Sequence, residues 1–448
     1  MDHDAFLALL TPRGQKALAE AVELASGDPV VAATRLRRTY DAALTSAALT
    51  QAKLRERGRA KFGDDAALMY FTPHGVEQAT RREVAEHRAR RIALLAARPP
   101  AVPASPHEIP STPQGAPPRP GSRLRVVDVC SGIGGDLVAL ARAGCEVDAV
   151  DTDPLTVSVA LANADALGLS DRVTVRTADA ASVDPAAYDV LFADPARRTA
   201  KGRTFDPNAY SPTWPVILDL LERAPAACLK VAPGIPYEFV PPGAEAEWVS
   251  FKGEVKEAAI WTGALSGMAV DAGQAETDAG GRAVPRARIG EAAAGAAEFD
   301  RRATLLPEGG TLTPTGAQAP VGPVGRYVYE PDGAAIRAHL VAEVAAMVNG
   351  RLADPLIAYI TGDDLVDTVW ASRYEVNEVM PFSVKKLRAA LRARNVGNVT
   401  IKKRASAVDI ERLRSDLRLS GNISAVVILT RISDRPSVLI CTPPELGK

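Results

Sequence analysis

The residues of this 448-residue chain best placed to do chemistry are carboxylates set in or just after short apolar runs, together with a cluster of glycines. Val126 and Val127 continue one such run, which predicts a buried parallel strand, and Asp128 lies inside it. Cys130 and Ser131 follow, and Gly132, Gly134 and Gly135 stand where a strand must turn sharply into a helix, expected over 137–143. Glycine suits that turn because it tolerates positive φ and lets a ligand come close to the backbone, and the helix start beyond it offers free amide donors. A nucleotide can sit there. Further acids follow later runs: Asp151 after 147–150, Asp179 after 173–175 and Asp194 after 188–193. Ligands of doubly wound sheets bind beyond the carboxyl ends of the strands, which is where these acids fall.

The spacing separates two cofactor classes. A dinucleotide fingerprint needs a third glycine where this chain has Leu137. A carboxylate inside the strand is also awkward for a pyrophosphate, whereas it suits a ligand with an ammonium group and neutral hydroxyls, such as S-adenosylmethionine.

Residues 128–136 resemble motif I of the class I S-adenosylmethionine-dependent methyltransferases, and their Cys-x-Gly-x-Gly-Gly form is most similar to the RNA cap guanine-N2 methyltransferase (trimethylguanosine synthase) group. The resemblance implies a cofactor site built from Asp128, Cys130, Ser131, Gly132, Gly134, Asp151, Asp179 and Ala180. In it Asp128 acts at the methionine end or fixes the glycine loop. Asp151 accepts from the ribose hydroxyls, its other reading being a cap for the next helix, where Asp153 is better placed. Asp179 and the Ala180 amide meet the adenine. Catalysis falls to Asp194, Pro195 and Arg197. Amino-methylating relatives carry a polar residue, two prolines and an aromatic ring here, and this chain departs from them with Ala196 and Arg197. Arginine can stack on a base or clamp a phosphate. Arg198, Lys201 and Arg203 keep the loop cationic until Asp206. Tyr210, Trp214 and Tyr237 are candidates to stack a base or to be ordinary packing.

The elements that must position these residues alternate as a doubly wound sheet demands: strands at 147–150, 173–175, 188–193 and 227–231, helices at 155–167 and 216–223, and an antiparallel pair at 247–251 and 258–262. Residues 302–306 are expected to rejoin the sheet edge, after an insertion or loop at 266–298. Before the sheet, 1–97 reads as helical, with breaks at Gly27-Asp28-Pro29 and helices over 30–57 and 75–97. The last carries Arg81, Arg82, Glu83, Glu86, Arg88, Arg90 and Arg91 among few large apolar residues, which predicts a solvated face with intrahelical ion pairs or, second, an RNA contact. A Pro-rich linker, 98–121, separates this segment from a methyltransferase domain at 122–310.

A different pattern occupies 322–443: helices at 334–348, 381–394 and 408–418 interleaved with strands at 357–361, 399–403, 425–432 and 437–441. Its order is similar to the THUMP-like domains that accompany some RNA-modifying enzymes. Lys385, Lys386, Arg388, Arg392, Arg394, Lys402, Lys403 and Arg404 occupy 381–404 with no acid among them, which points to nucleic acid.

Composition bounds the rest. A hydrophobic share of 47% with 24% charge is that of a globular protein, and a net charge of −1 means that any nucleic-acid surface is local. The four cysteines form no C-x-x-C pair and the five histidines no metal spacing, so neither a disulfide framework nor a metal is expected. With no signal peptide and no apolar run long enough for a bilayer, a cytoplasmic location is expected. The fold expected is α/β: a Rossmann-like seven-stranded methyltransferase sheet with an N-terminal α-helical segment and a C-terminal α/β THUMP-like domain. The expected function is methyl transfer from S-adenosyl-L-methionine to RNA, tRNA or rRNA. The alternatives are a small-molecule or protein acceptor, or a non-catalytic protein that binds the cofactor and RNA.

Overall fold

Short polar side chains start five of the six N-terminal α-helices. Asp2, Thr11, Asp28, Asp41 and Thr72 cap α1 (His3–Leu10), α2 (Pro12–Leu24), α3 (Pro29–Leu36), α4 (Ala42–Phe62) and α5 (Pro73–Gln78), while α6 (Arg82–Ala93) has no side-chain cap. Proline at the first helical position of α2, α3 and α5 costs no hydrogen bond, because that amide has no partner in a helix. The single helix expected over 30–57 is broken because Asp41 accepts from the Leu44 amide at 2.9 Å and starts a new one. The helix expected over 75–97 is likewise two, α5 and α6.

The structure, a computed structural model, describes residues 2–97, 123–197, 210–268 and 299–443. The linker 98–121, nearly all of the insertion 266–298 and the cationic loop from Arg198 to Asp206 lie outside the described residues.

The sheet elements follow in order: β1 (Arg125–Val129), α7 (Gly135–Arg142), β2 (Glu146–Asp151), α8 (Pro154–Ala166), β3 (Val173–Thr177), β4 (Val190–Ala193), β5 (Ala196–Arg197), β6 (Tyr210–Ser211), α9 (Trp214–Arg223), β7 (Ala226–Val231), β8 (Glu245–Phe251), β9 (Glu254–Gly263), β10 (Asp300–Leu306) and β11 (Thr311–Leu312). The strand order is β11-β10-β8-β9-β7-β4-β1-β2-β3, with β5 and β6 a separate ribbon. Strands β3, β2, β1, β4 and β7 are parallel and β9 is antiparallel to β7. Seven strands therefore stand in the expected arrangement, and β10 and β11 extend it to nine. β1 and β4 are buried at every position but Arg125, as central parallel strands must be.

Two compact units divide the chain: Met1–Ala246 with Ala258–Asp300, and Glu247–Glu257 with Arg301–Lys448. The first contains both the helices and the parallel strands, and they share cores. Ala85, Ala89 and Ile92 of α6 are buried with Val126, Leu137, Val190 and Phe192, while Ile133 and Val159 are buried with Phe6, Leu9, Leu18 and Phe71.

The second unit continues with β12 (Tyr327–Pro331), α10 (Gly333–Arg337), α11 (Val341–Met347), β13 (Arg351–Asp354), β14 (Ile357–Gly362), β15 (Ala371–Pro381), α12 (Val384–Ala393), β16 (Val396–Lys403), α13 (Ile410–Leu417), β17 (Ile423–Ile432) and β18 (Arg435–Thr442). Its sheet runs β13-β14-β12-β15-β18-β17-β16. Leu387 and Leu391 of α12 and Leu413 and Leu417 of α13 are buried with Val427, Leu429, Val438 and Ile440. The helix expected over 334–348 is two short ones, divided where His339 takes φ +54°. Strand β15 was not expected; its residues alternate imperfectly and only Tyr374 is buried. No helix among the described residues is long and apolar enough to cross a membrane.

Candidate active site

At the end of β1 the backbone turns through three residues of positive φ: Cys130 at +66°, Gly132 at +55° and Gly134 at +85°. The Cys130 and Ser131 amides both donate to the Val150 carbonyl, at 2.9 and 3.2 Å, so the loop is tied to the end of β2. Asp151 strengthens that tie. Its Oδ2 accepts from the Gly132 amide and its Oδ1 from the Asp153 amide, each at 3.0 Å. Asp153 itself caps α8 by accepting from Leu155 and Thr156, so the capping role falls to it and Asp151 is left facing the loop. Asp179 is exposed beyond β3, accepting from the Ala181 amide at 2.9 Å, and Ala180 beside it is buried.

Two buried carboxyl groups behind the loop shift in opposite directions. Asp128 is fully buried and neither of its oxygens has a hydrogen-bond partner among the described residues. Burial pushes it well above the usual carboxylate range, and the negative charges of Asp136, Asp194 and Asp151 add to that. Asp136, in the first turn of α7, is also raised by burial, but Arg88 and then Lys230 more than offset this and hold it below its ordinary value. Thr80 Oγ1 donates to Asp136 Oδ2 at 3.1 Å, and Arg88 Nη2 donates to Oδ1.

Arg88 corrects the reading of α6 as a solvated face. Arg82 and Glu86 do form an intrahelical pair at 3.7 Å, but the side chains of Arg88 and Arg91 are 1% and 0% exposed. Arg91 pairs with Glu245 at 2.6 Å, donates to the Leu265 carbonyl at 3.0 Å and lies 4.2 Å from the centre of the Trp261 ring. Both arginines belong to the interior.

Asp194 follows β4, its amide donating to the Val129 carbonyl at 3.3 Å. Its Oδ2 accepts from Lys230 Nζ of β7 at 2.5 Å. Lys230 escaped sequence reading because it is one charge in an apolar strand. Pro195 is buried, and Arg197 pairs through its backbone with Tyr210 in the β5–β6 ribbon. Tyr210 and Trp214 are buried, their rings 6.0 Å apart, with Trp214 edge-on to Phe239. These two rings pack in the interior. Tyr237 is half-buried against Phe299.

Several basic residues of 381–404 have partners within the second unit. Lys402 and Arg404 reach Glu330 at 2.5 and 3.3 Å, and Arg394 reaches Glu378 at 2.6 Å. Arg388 and Arg392 donate to the Asp416 and Arg418 carbonyls at the end of α13, where cations suit the helix dipole. Lys403 donates to the Val408 carbonyl at 3.0 Å. Lys385 and Lys386, on the first turn of α12, are exposed.

These residues fit S-adenosylmethionine. A Cβ on Gly132 would meet no protein atom within 4 Å, and the Asp128 carboxyl and the Ser131 hydroxyl are buried polar groups without partners among the described residues. Asp128, Ser131, Gly132 and Asp151 would hold it, with Asp179 and Ala180 beyond β3; when bound it supplies a methyl group activated on a sulfonium. Among the described residues no group of three or more His, Cys, Asp or Glu is arranged to hold a metal ion.

The strand order, the reversed β9 and the glycine loop closing on an acid after β2 define a Rossmann-like methyltransferase. The chain belongs to the S-adenosylmethionine-dependent methyltransferases: it is 30% identical over 411 residues to an uncharacterized enzyme of that name from Mycobacterium tuberculosis, covering 87% of this chain and 95% of the relative. Residues 123–209 match the RNA cap guanine-N2 methyltransferase family, 371–443 the THUMP domain-like family and 2–58 a domain family of unknown function. A putative methyltransferase from Porphyromonas gingivalis shares the fold, with a TM-score of 0.67 and 18% identity over 96% of this chain and 98% of its own. The protein is an enzyme, and S-adenosylmethionine is its methyl donor.

Proposed function

We propose that the acceptor is RNA, a tRNA or rRNA, and that Asp194 holds the acceptor atom beside the methyl group. The observation that carries this reading is the pairing of a methyltransferase unit with a THUMP domain-like unit in one chain. The exposed Lys385 and Lys386 of α12 supply phosphate contacts. At the reacting end, Lys230 takes one oxygen of Asp194, and the other is left to accept from the group being methylated. Transfer from a sulfonium needs little acid or base help, so in-line positioning by Asp194 and Pro195 supplies most of the rate. Arg197 follows on β5 and clamps a phosphate or stacks on a base. A cytoplasmic location is part of this reading.

The test is incubation with radiolabelled cofactor and separated total RNA, protein and small-molecule fractions, followed by nucleoside mass spectrometry. Label in a methylated nucleoside, absent with Asp194→Ala, is the expected result. Label confined to protein or small molecules would overturn the RNA reading.

A further inference from the structure

The N-terminal helical segment grips the cofactor loop at two points. The first is Ile133, between the two positive-φ glycines. Asn163 Nδ2 donates to the Ile133 carbonyl at 2.8 Å and to the Tyr70 carbonyl at 3.0 Å, while Asn163 Oδ1 accepts from the Tyr70 amide at 2.6 Å. All these groups are buried, and a buried amide satisfied on three sides fixes what it touches. Gly75 of α5 presses on the same residue so closely that a Cβ there would lie 2.3 Å from Ile133 Cγ2. The second point is Asp136, held by Thr80 and Arg88.

We propose that Arg88 is a positioning residue for S-adenosylmethionine: by holding Asp136 in the first turn of α7 it keeps the glycine loop in the form that takes the cofactor. A buried carboxylate left without its cation must either gain a proton or move to water. Asp136 lies two residues beyond Gly134, so movement there redirects the amides of the loop. Asp128 is buried as well, where burial and then the charge of Asp136 raise its carboxyl and the charge of Arg88 works against them. The site thus depends on a residue supplied 48 positions upstream of Asp136.

Helix α6 also carries the control. Arg91, three residues on, makes an equally buried ion pair with Glu245, away from the loop. Affinity for the demethylated product, S-adenosylhomocysteine, is measured by calorimetry beside thermal melts of the full-length protein. Arg88→Met should weaken binding by about tenfold or more, with part recovered in Arg88→Lys. Arg91→Met should lower the melting temperature comparably but leave affinity within about twofold. Unchanged affinity in folded Arg88→Met, or equal losses in the two variants, would overturn the proposal. If Arg88→Met does not fold, Thr80→Val decides: it keeps the shape and removes one bond to Asp136, and its affinity should fall about threefold, whereas wild-type affinity there would also overturn it.

Discussion

Lys230 Nζ stands 2.5 Å from Asp194 Oδ2, so the neighbouring strands β4 and β7 bring a cation and an anion together at their carboxyl ends. Their side chains are 14% and 31% exposed, so the carboxylate is partly open to solvent while the lysine is largely covered. Asp194→Ala should lower turnover about a hundredfold, because positioning is lost, while S-adenosylhomocysteine affinity stays close to wild type. Lys230→Met should lower kcat more than it raises KM for RNA, with Lys230→Arg restoring part. Equal binding losses in both variants would show that the pair serves the cofactor instead.

Gly132 and Gly134 answer to different needs. A Cβ on Gly134 would sit 3.5 Å from Ala160 Cβ, an ordinary contact, so Gly134→Ala costs about 1–2 kcal/mol of stability from its left-handed backbone alone. A Cβ on Gly132 meets open space, the room that an approaching cofactor would need. Gly132→Val should therefore abolish S-adenosylhomocysteine binding at a similar loss of melting temperature. Calorimetry giving the same affinity loss for both variants would remove the distinction.

The two buried acids give stability a signed dependence on pH. Asp128 has a raised value in the native state, so its contribution is fully present below the usual carboxylate value of about 4 and is lost as pH rises through the raised one. Asp136, held low, behaves oppositely: its contribution is present above about pH 4 and lost as pH falls through the lowered value. In ligand-free protein the stability of Asp128→Asn relative to wild type should therefore grow from about pH 4 towards neutrality. Denaturant unfolding at several pH values checks this; a flat difference would mean that Asp128 titrates as it does in the unfolded chain.

On the second unit, Lys385→Glu with Lys386→Glu should weaken RNA binding across sequences and reduce the slope of affinity against salt by about two, one for each phosphate contact. Lys402→Met with Arg404→Met should instead cost stability, since two cationic partners of the half-buried Glu330 are removed. An RNA-binding loss confined to the second pair would reverse the assignment.

What was legible in the chain was local. A strand, a glycine turn and a helix are written in consecutive residues, and acids that follow apolar runs fall at the ends of strands whatever the sheet order. Arg88 was not legible, because a charge-rich helix reads as solvated until its distant partner is known, and nothing near α6 announces Asp136. The absence of acids within 381–404 suggested a free basic surface for the same reason, yet Glu330 lies 72 residues before Lys402. Strand β15 gave no period of two, since half-buried positions fall on both of its faces.

Ile133 and Val159 share a buried cluster with Phe6, Leu9, Leu18 and Phe71. A chain grows from its N-terminus, so the six helices leave the ribosome before the residues that complete their core exist. Until α8 has emerged, the nascent segment exposes apolar surface that its own sequence does not cover. Maturation of the helices and maturation of the cofactor pocket are then one event in biosynthesis, finished only when the later strands arrive.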